Sequence, residues 1–199
     1  MKLIRNFPSC KQPRDNECGP VIMSAVLAYY GIDIRVNDLS DMMKTTLRTG
    51  TPIGGFKRAA KRFGLEILHD GEMDLEGIIG WIDDKKPVIM AIQAWPSCET
   101  GKKDLNHYWH AGHYVAAIGY GKDRIIFEDP VCAVRTYLSF EQVNKRWHDI
   151  DYPTNGHTKK LDHYGLVLGH WHGPVYKPNI IVPMDWNSYE KDGNTLKIG

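Results

Sequence analysis

Apolar residues in the first part of the chain recur three or four positions apart, which is the spacing of one face of a helix. The clearest case is CGPVIMSAVLAYYG (residues 18–31), where Pro20 is tolerated in the first turn and Gly31 is a suitable stop. The same reasoning predicts three further helices, in NDLSDMMK (37–44), PIGGFKRAAKRFG (52–64) and MDLEGIIGWIDDKK (73–86).

The pattern then changes to short apolar runs with turn residues between them, which is typical of strands. These runs are PVIMAIQ (87–93), HYVAAIGYG (113–121) and RIIFEDP (124–130). SFEQVNKRW (139–147) predicts one more helix, capped by Ser139 with Gln142 three positions later. Two weaker strand patterns follow, YGLVLG (164–169) and NIIVPM (179–184), before a polar tail. Helices first and strands later, without alternation, predict an α+β fold rather than a doubly wound sheet.

Length and charge narrow the class of protein. The 199 residues are enough for one domain with a sizeable core, and we expect residues 1–199 to form a single domain. The net charge of +1, from 25 basic and 24 acidic residues, gives no support for binding to nucleic acid or to a membrane surface. No apolar run reaches the roughly 18 residues of a membrane span. The start, MKLIRNFPSCKQP, lacks the apolar stretch of a secretory signal, so we expect a cytoplasmic protein.

Cys18 begins the first predicted helix, and this position has a chemical consequence. Unpaired backbone N–H groups at a helix N-terminus favour the thiolate form of a cysteine. Two interpretations remain open at this point, a reactive nucleophile and a buried structural thiol. The four cysteines (10, 18, 98 and 132) have no CxxC spacing, so neither a zinc knuckle nor a thioredoxin-like motif is indicated.

A thiolate nucleophile needs a histidine to carry protons, and the histidine needs an acceptor to orient it. His113 opens the predicted strand 113–121, and Asp129 closes the run 124–130. The turn YGKD between them allows the two runs to pair as a hairpin, which would make His113 and Asp129 neighbours. Asp129 taken alone is more typical of a turn-forming Asp-Pro, and only the pairing with His113 favours a role in the site.

Other histidines compete with this interpretation. His110 is an alternative base, but we prefer His113 because it begins a strand. The histidines at 107, 110, 113, 170 and 172 suggest a metal site, yet NHYWHAGH has the composition of a loop and lacks a clear third ligand in an ordered element. We therefore interpret the segment as a polar, aromatic cleft wall and expect no metal or other cofactor.

Two segments, QPRDNECGPVIMSAVLAYYG (12–31) and GHYVAAIGYGKDRIIFEDP (112–130), resemble the bacteriocin-processing, double-glycine leader peptidases. These are papain-like cysteine peptidases, often fused to ABC exporters. The resemblance covers about residues 8–150, and we expect 151–199 to be a C-terminal extension of the same domain. No transporter or ATPase sequence accompanies it, so a stand-alone peptidase is expected.

The resemblance implies a role for four residues. Cys18 would be the nucleophile, His113 the general acid–base and Asp129 the residue that orients His113. Gln12 would donate to the oxyanion, although its position alone is more typical of a surface glutamine. The implied partner is a peptide or protein substrate, and the resemblance suggests a leader peptide cleaved after Gly-Gly. A transglutaminase-like acyltransferase and a catalytically silent peptide-binding module remain alternatives.

Overall fold

The computed structural model of the protein describes residues 1–94, 107–132, 134–154 and 156–178. Five helices lie in this part of the chain: α1 Cys18–Tyr29, α2 Val36–Met43, α3 Ile53–Arg62, α4 Leu75–Asp83 and α5 Phe140–Arg146. They accompany nine strands: β1 Lys2–Leu3, β2 Glu66–Glu72, β3 Val88–Gln93, β4 Gly112–Tyr120, β5 Arg124–Glu128, β6 Thr136–Ser139, β7 His148–Asp151, β8 Lys159–Asp162 and β9 Tyr164–Gly169. The predicted α+β class is confirmed, whereas the strand predicted at 179–184 lies outside the described residues.

Seven strands form one antiparallel sheet in the order β2-β9-β3-β4-β5-β6, with β1 pairing additionally with β4. Strands β7 and β8 form a separate hairpin. Every residue of β3 and β9 is buried, because both strands lie inside the sheet. Helix α1 contributes its buried face to the same apolar core, so the N-terminus of α1 is held at the sheet.

The hairpin predicted from the YGKD turn is present. Strands β4 and β5 pair antiparallel, with Ala116 opposite Glu128 and Tyr120 opposite Ile125. The capping box predicted at the start of α5 is also present, because the side chains of Ser139 and Gln142 each bond to the other's backbone N–H. These two features depend on residues close together in the chain, which is why local sequence signals are sufficient for them.

Several strands were not predicted from the sequence. Strand β2 is mostly exposed or half-buried, so it lacks the apolar alternation that marks a strand. Strands β7 and β8 are only four residues long and carry charged side chains. None of the helices in the described part of the chain is long and apolar enough to cross a membrane.

Gly19, directly after Cys18, lets α1 approach the segment that carries Thr51. A Cβ atom at position 19 would lie 2.5 Å from Thr51 Oγ1 and 2.6 Å from Thr51 Cβ. Thr51 itself is held in place, because its hydroxyl lies 2.8 Å from that of Thr45 and its carbonyl accepts a hydrogen bond from the Tyr114 hydroxyl. The side chain at 51 therefore has little freedom to make room for a larger residue at 19.

We expect Gly19→Ala to lower the free energy of unfolding by about 1–3 kcal/mol, the usual cost of overpacking a close-packed site. Gly80→Ala is the matched control, because Gly80 lies in α4 with nothing within 4 Å of its Cβ position. In that control the free energy of unfolding should rise by up to about 1 kcal/mol, because alanine has a better helix propensity than glycine. Urea unfolding of the two variants measures the difference, and an equal gain in both would contradict the close approach at Gly19.

Candidate active site

Cys18 is the first residue of α1, and only 7 % of it is exposed. The residue before it, Glu17, is the N-cap, but its side chain makes no capping hydrogen bond. The Glu17 carboxylate is buried and accepts instead from Arg14 Nη1 at 3.1 Å. Consequently Glu17 does not occupy the N–H groups of the first turn, which are the groups that favour a thiolate.

His113 and Asp129 are brought together at the ends of β4 and β5. His113 Nε2 lies 2.9 Å from Asp129 Oδ1, and both side chains are buried. Asp129 is fixed from its other sides, because the backbone N–H of Val131 donates to Oδ1 at 3.0 Å and the Thr136 hydroxyl lies 3.4 Å from Oδ2. The carboxylate therefore has one orientation, and it sets the orientation of the imidazole ring.

The Cys18 thiol lies near enough to His113 to raise the pKa of the imidazole. Since Nε2 is occupied by Asp129, Nδ1 is the ring nitrogen that remains for the sulfur. Three of the four residues singled out from the sequence therefore lie together, with His113 next to both Cys18 and Asp129. This is the spatial arrangement that a thiolate, its proton carrier and an orienting acceptor require.

Electrostatics favour a charged His113. Burial opposes protonation of the ring, but the hydrogen bond to Asp129 and the neighbouring Cys18 thiol outweigh it and raise the pKa of His113 to about 9. For Asp129, burial alone would raise the pKa, but the hydrogen bond and charge of His113 hold it below its usual value. At neutral pH the pair is therefore an imidazolium next to a carboxylate.

Gln12 lies beside the Asp129 turn, because its backbone N–H donates to the Pro130 carbonyl at 2.7 Å. Its side-chain Nε2 donates to the carbonyls of Arg14 and Asp15, at 3.0 and 3.2 Å. The side-chain oxygen Oε1 is buried and has no partner within the described residues. The amide N–H groups thus face the loop that precedes α1, and the oxyanion role of Gln12 stays a prediction.

The segment before His113 has an aromatic surface, as its sequence indicated. The Trp109 ring packs on His148 with ring centroids 4.4 Å apart, and His148 Nε2 lies 2.9 Å from the Tyr108 carbonyl. His110 is exposed, and its ring contacts Tyr108 rather than the buried pair. Across the described stretches, no group of three metal-ligating side chains could hold an ion. Cys98 lies outside those stretches.

A second buried carboxylate near His113 was missed by the sequence analysis. Asp149 on β7 accepts from Gln93 Nε2 at 3.1 Å, and Gln93 Oε1 accepts from the backbone of Ala111 at 3.0 Å. Burial raises the pKa of Asp149 to about 7. The available signal was the sequence HDID, in which two acids at alternate positions, Asp149 and Asp151, share one face of a strand.

A thiol at a helix N-terminus, near a histidine on an antiparallel sheet with a carboxylate behind it, is an arrangement typical of papain-like cysteine peptidases. The model of the Peptidase C39 like family matches residues 4–154. The chain therefore belongs to the Peptidase C39 like family and is a cysteine peptidase, which confirms the resemblance seen in the sequence. A comparison with curated proteins found no match to the chain.

Solved structures support the fold. The peptidase domain of Streptococcus ComA, a bi-functional ABC transporter involved in quorum sensing, is 22% identical and has a TM-score of 0.57, covering 78% of this chain and 98% of its own. A putative C39-like peptidase from Bacillus anthracis is 15% identical with a TM-score of 0.62, covering 85% and 97%. A double glycine motif protease from an AMS/PCAT transporter, in complex with the leader peptide, is 16% identical with a TM-score of 0.54, covering 84% and 91%.

Proposed function

We propose that Cys18, His113 and Asp129 are the catalytic triad of this peptidase, with Gln12 as an oxyanion donor. The observation that carries the proposal is the contact of His113 with Asp129 beside Cys18. One ring nitrogen lies 2.9 Å from the Asp129 carboxylate, and the Cys18 thiol at the start of α1 is near enough to raise the pKa of the ring. A buried imidazole with these two partners is suited to hold and transfer one proton.

The mechanism follows from these positions. The Cys18 thiolate attacks the carbonyl carbon of the peptide bond, and a tetrahedral intermediate forms with a negative oxygen. The His113 imidazolium gives its proton to the leaving amine, and a thioester to Cys18 remains. Neutral His113 then takes a proton from water, whose oxygen attacks the thioester, and the thiolate is released. Asp129 orients the imidazole and stabilises its charged form throughout.

The proposed substrate is a leader peptide cleaved after Gly-Gly. Support comes from membership of the Peptidase C39 like family and from the fold shared with a double glycine motif protease that binds a leader peptide. The test is incubation of the protein with a synthetic peptide that contains one Gly-Gly pair, followed by mass spectrometry. The expected product ends in Gly-Gly. The same peptide with both glycines replaced by valine is the control and should stay intact.

The same experiment also distinguishes a peptidase from an acyltransferase and from a catalytically silent binding module. A product extended by an added amine would identify an acyltransferase. Cleavage of the valine control at an equal rate would overturn the proposed Gly-Gly specificity but would still be peptidase activity. Tight binding of the intact peptide with no product would indicate a silent binding module.

Removal of the Gln12 amide tests the oxyanion role. We expect Gln12→Ala to lower kcat about 100- to 1000-fold, the usual cost of losing one oxyanion donor. Gln12→Glu should be at least as harmful, because a carboxylate repels the developing negative charge. Peptide turnover measures the effect, and the rate of Cys18 alkylation by iodoacetamide is the control, since alkylation forms no oxyanion.

The contacts that Gln12 makes in the structure add a requirement to this prediction. Its Nε2 bonds to the carbonyls of Arg14 and Asp15, so the amide must redirect an N–H when substrate binds. Turnover by Gln12→Ala at the wild-type rate would show that Gln12 serves only to shape the loop. In that case the oxyanion would depend on backbone N–H groups at the start of α1 alone.

A further inference from the structure

Strand β7 places a carboxylate against the residue that precedes His113. A Cβ atom added to Gly112 would lie 2.5 Å from Asp149 Oδ2 and 2.7 Å from Asp149 Cγ, so the carboxylate covers the α-carbon of Gly112. Asp149 is 9 % exposed, and Gly112, the residue that it covers, directly precedes His113, whose charge lowers the pKa of Asp149. A negative group is therefore held beside the backbone that carries the proposed general acid–base.

The hydrogen bonds of Asp149 do not explain why an acid occupies this position. Gln93 Nε2 and the backbone N–H of Ile150 donate to the same oxygen, Oδ1, at 3.1 and 2.8 Å. An asparagine at 149 has the same oxygen and could accept both bonds. It would also avoid the cost of burying a charge, which is large when the partners are neutral. The feature that only an aspartate supplies is the negative charge that it carries once the pH exceeds its pKa of about 7.

We propose that Asp149 is a positioning residue whose buried negative charge, held by Gln93 against Gly112, favours the protonated form of His113. This inference rests on the role proposed above for His113 as general acid–base. Asp129 contacts the ring directly, whereas Asp149 acts on it through space. The two carboxylates together keep the imidazolium in place to protonate the leaving amine.

The pH dependence follows from the groups that surround Asp149. His113 attracts its negative charge, Asp151 on the same strand repels it, and the Tyr114 hydroxyl responds to both acids and to Cys18. His148 is the remaining titratable neighbour on β7. Because the pKa of Asp149 is raised to about 7, its charge appears as the pH rises through neutrality. The carboxylate thus becomes negative in the range where His113 would otherwise start to lose its proton.

Asp149→Asn tests the proposal, with the His113 titration followed by NMR of the ring in the full chain. The pKa of His113 should fall by about one unit, as expected for losing a nearby opposite charge. The alkaline limb of kcat/KM should move to lower pH by the same amount. Asp151→Asn is the matched control. Asp151 is also 9 % exposed, and its Oδ1 accepts from the Ile53 backbone N–H, a bond that asparagine retains.

An unchanged pKa of His113 in Asp149→Asn, or an equal fall in Asp151→Asn, would overturn the proposal. If the Asp149→Asn variant does not fold, the wild-type protein still decides the question. Its His113 resonances should then show a second, smaller inflection at the pH where the Asp149 carboxyl titrates, and a single inflection would count against the proposal. The NMR titration needs no substrate. Failure to cleave any peptide would therefore overturn the proposed function without affecting the test of Asp149.

Discussion

Cys18→Ala should abolish peptide turnover, with kcat falling by about 10⁴-fold or more, while the domain stays folded. The expected loss is large because the triad acts as a unit, and no other group can form the thioester. The side chain is small and buried, so alanine leaves only a minor void. Peptide cleavage measured by mass spectrometry gives the rate, and thermal unfolding confirms that the variant is folded.

A labelling experiment distinguishes Cys18 from the other thiols without any substrate. A limiting dose of iodoacetamide at neutral pH should label Cys18 ahead of Cys10, Cys98 and Cys132. For Cys10, burial and the neighbouring carboxylates of Glu128 and Asp129 raise the pKa strongly, so its thiol stays protonated. Burial and Asp129 also raise the pKa of Cys132. Labelling of another cysteine with Cys18 inert would overturn the nucleophile assignment.

His113→Ala should also abolish turnover, whereas His110→Ala should mainly alter substrate binding. His113 is buried, bonded to Asp129 and near Cys18, so its loss removes the proposed proton carrier. His110 is exposed and contacts Tyr108, so it is the matched histidine control in the neighbouring segment. Steady-state kinetics of the two variants separate kcat from KM. A greater loss of kcat in His110→Ala than in His113→Ala would assign the role of catalytic base to His110 instead.

The pH dependence of kcat/KM in the wild-type enzyme also tests the role of His113 as proton carrier. The pKa of His113 is raised to about 9, so the imidazolium is present below that pH and is lost above it. Protonation of the leaving amine needs the imidazolium, and kcat/KM should therefore fall as the pH rises through about 9. A profile that falls near pH 6.5, the ordinary value for histidine, would indicate that the ion pair does not form.

Helices and one hairpin could be predicted because their signals are local. Helix α1 follows a stripe of apolar residues that ends near Gly31, and α5 follows a capping box at Ser139. The hairpin of β4 and β5 needs only two apolar runs and a short turn. The same local pairing brings His113 next to Asp129, and so this half of the site could be inferred from spacing.

Other features depend on residues far apart in the chain. Strand β9 lies between β2 and β3, and its position comes from pairing with segments about 75 to 100 residues earlier in the chain. Strand β7 contacts β3 and β4 in the same way, which is how Asp149 reaches Gly112. Contacts between segments so far apart produce no periodic pattern in the sequence. The pairing of β9 and the packing of β7 therefore could not be predicted.

The sequence by itself determined the helix that begins at Cys18, the hairpin that pairs His113 with Asp129, and the resemblance to a peptidase family. Short-range hydrogen bonding and apolar periodicity are sufficient for the first two. Only the tertiary structure decided that the thiol lies near the imidazole, that the Gln12 amide faces loop carbonyls, and that a second carboxylate lies beside Gly112. These contacts are made where α1 and β7 pack on the sheet, and packing of distant segments is a property of the whole core.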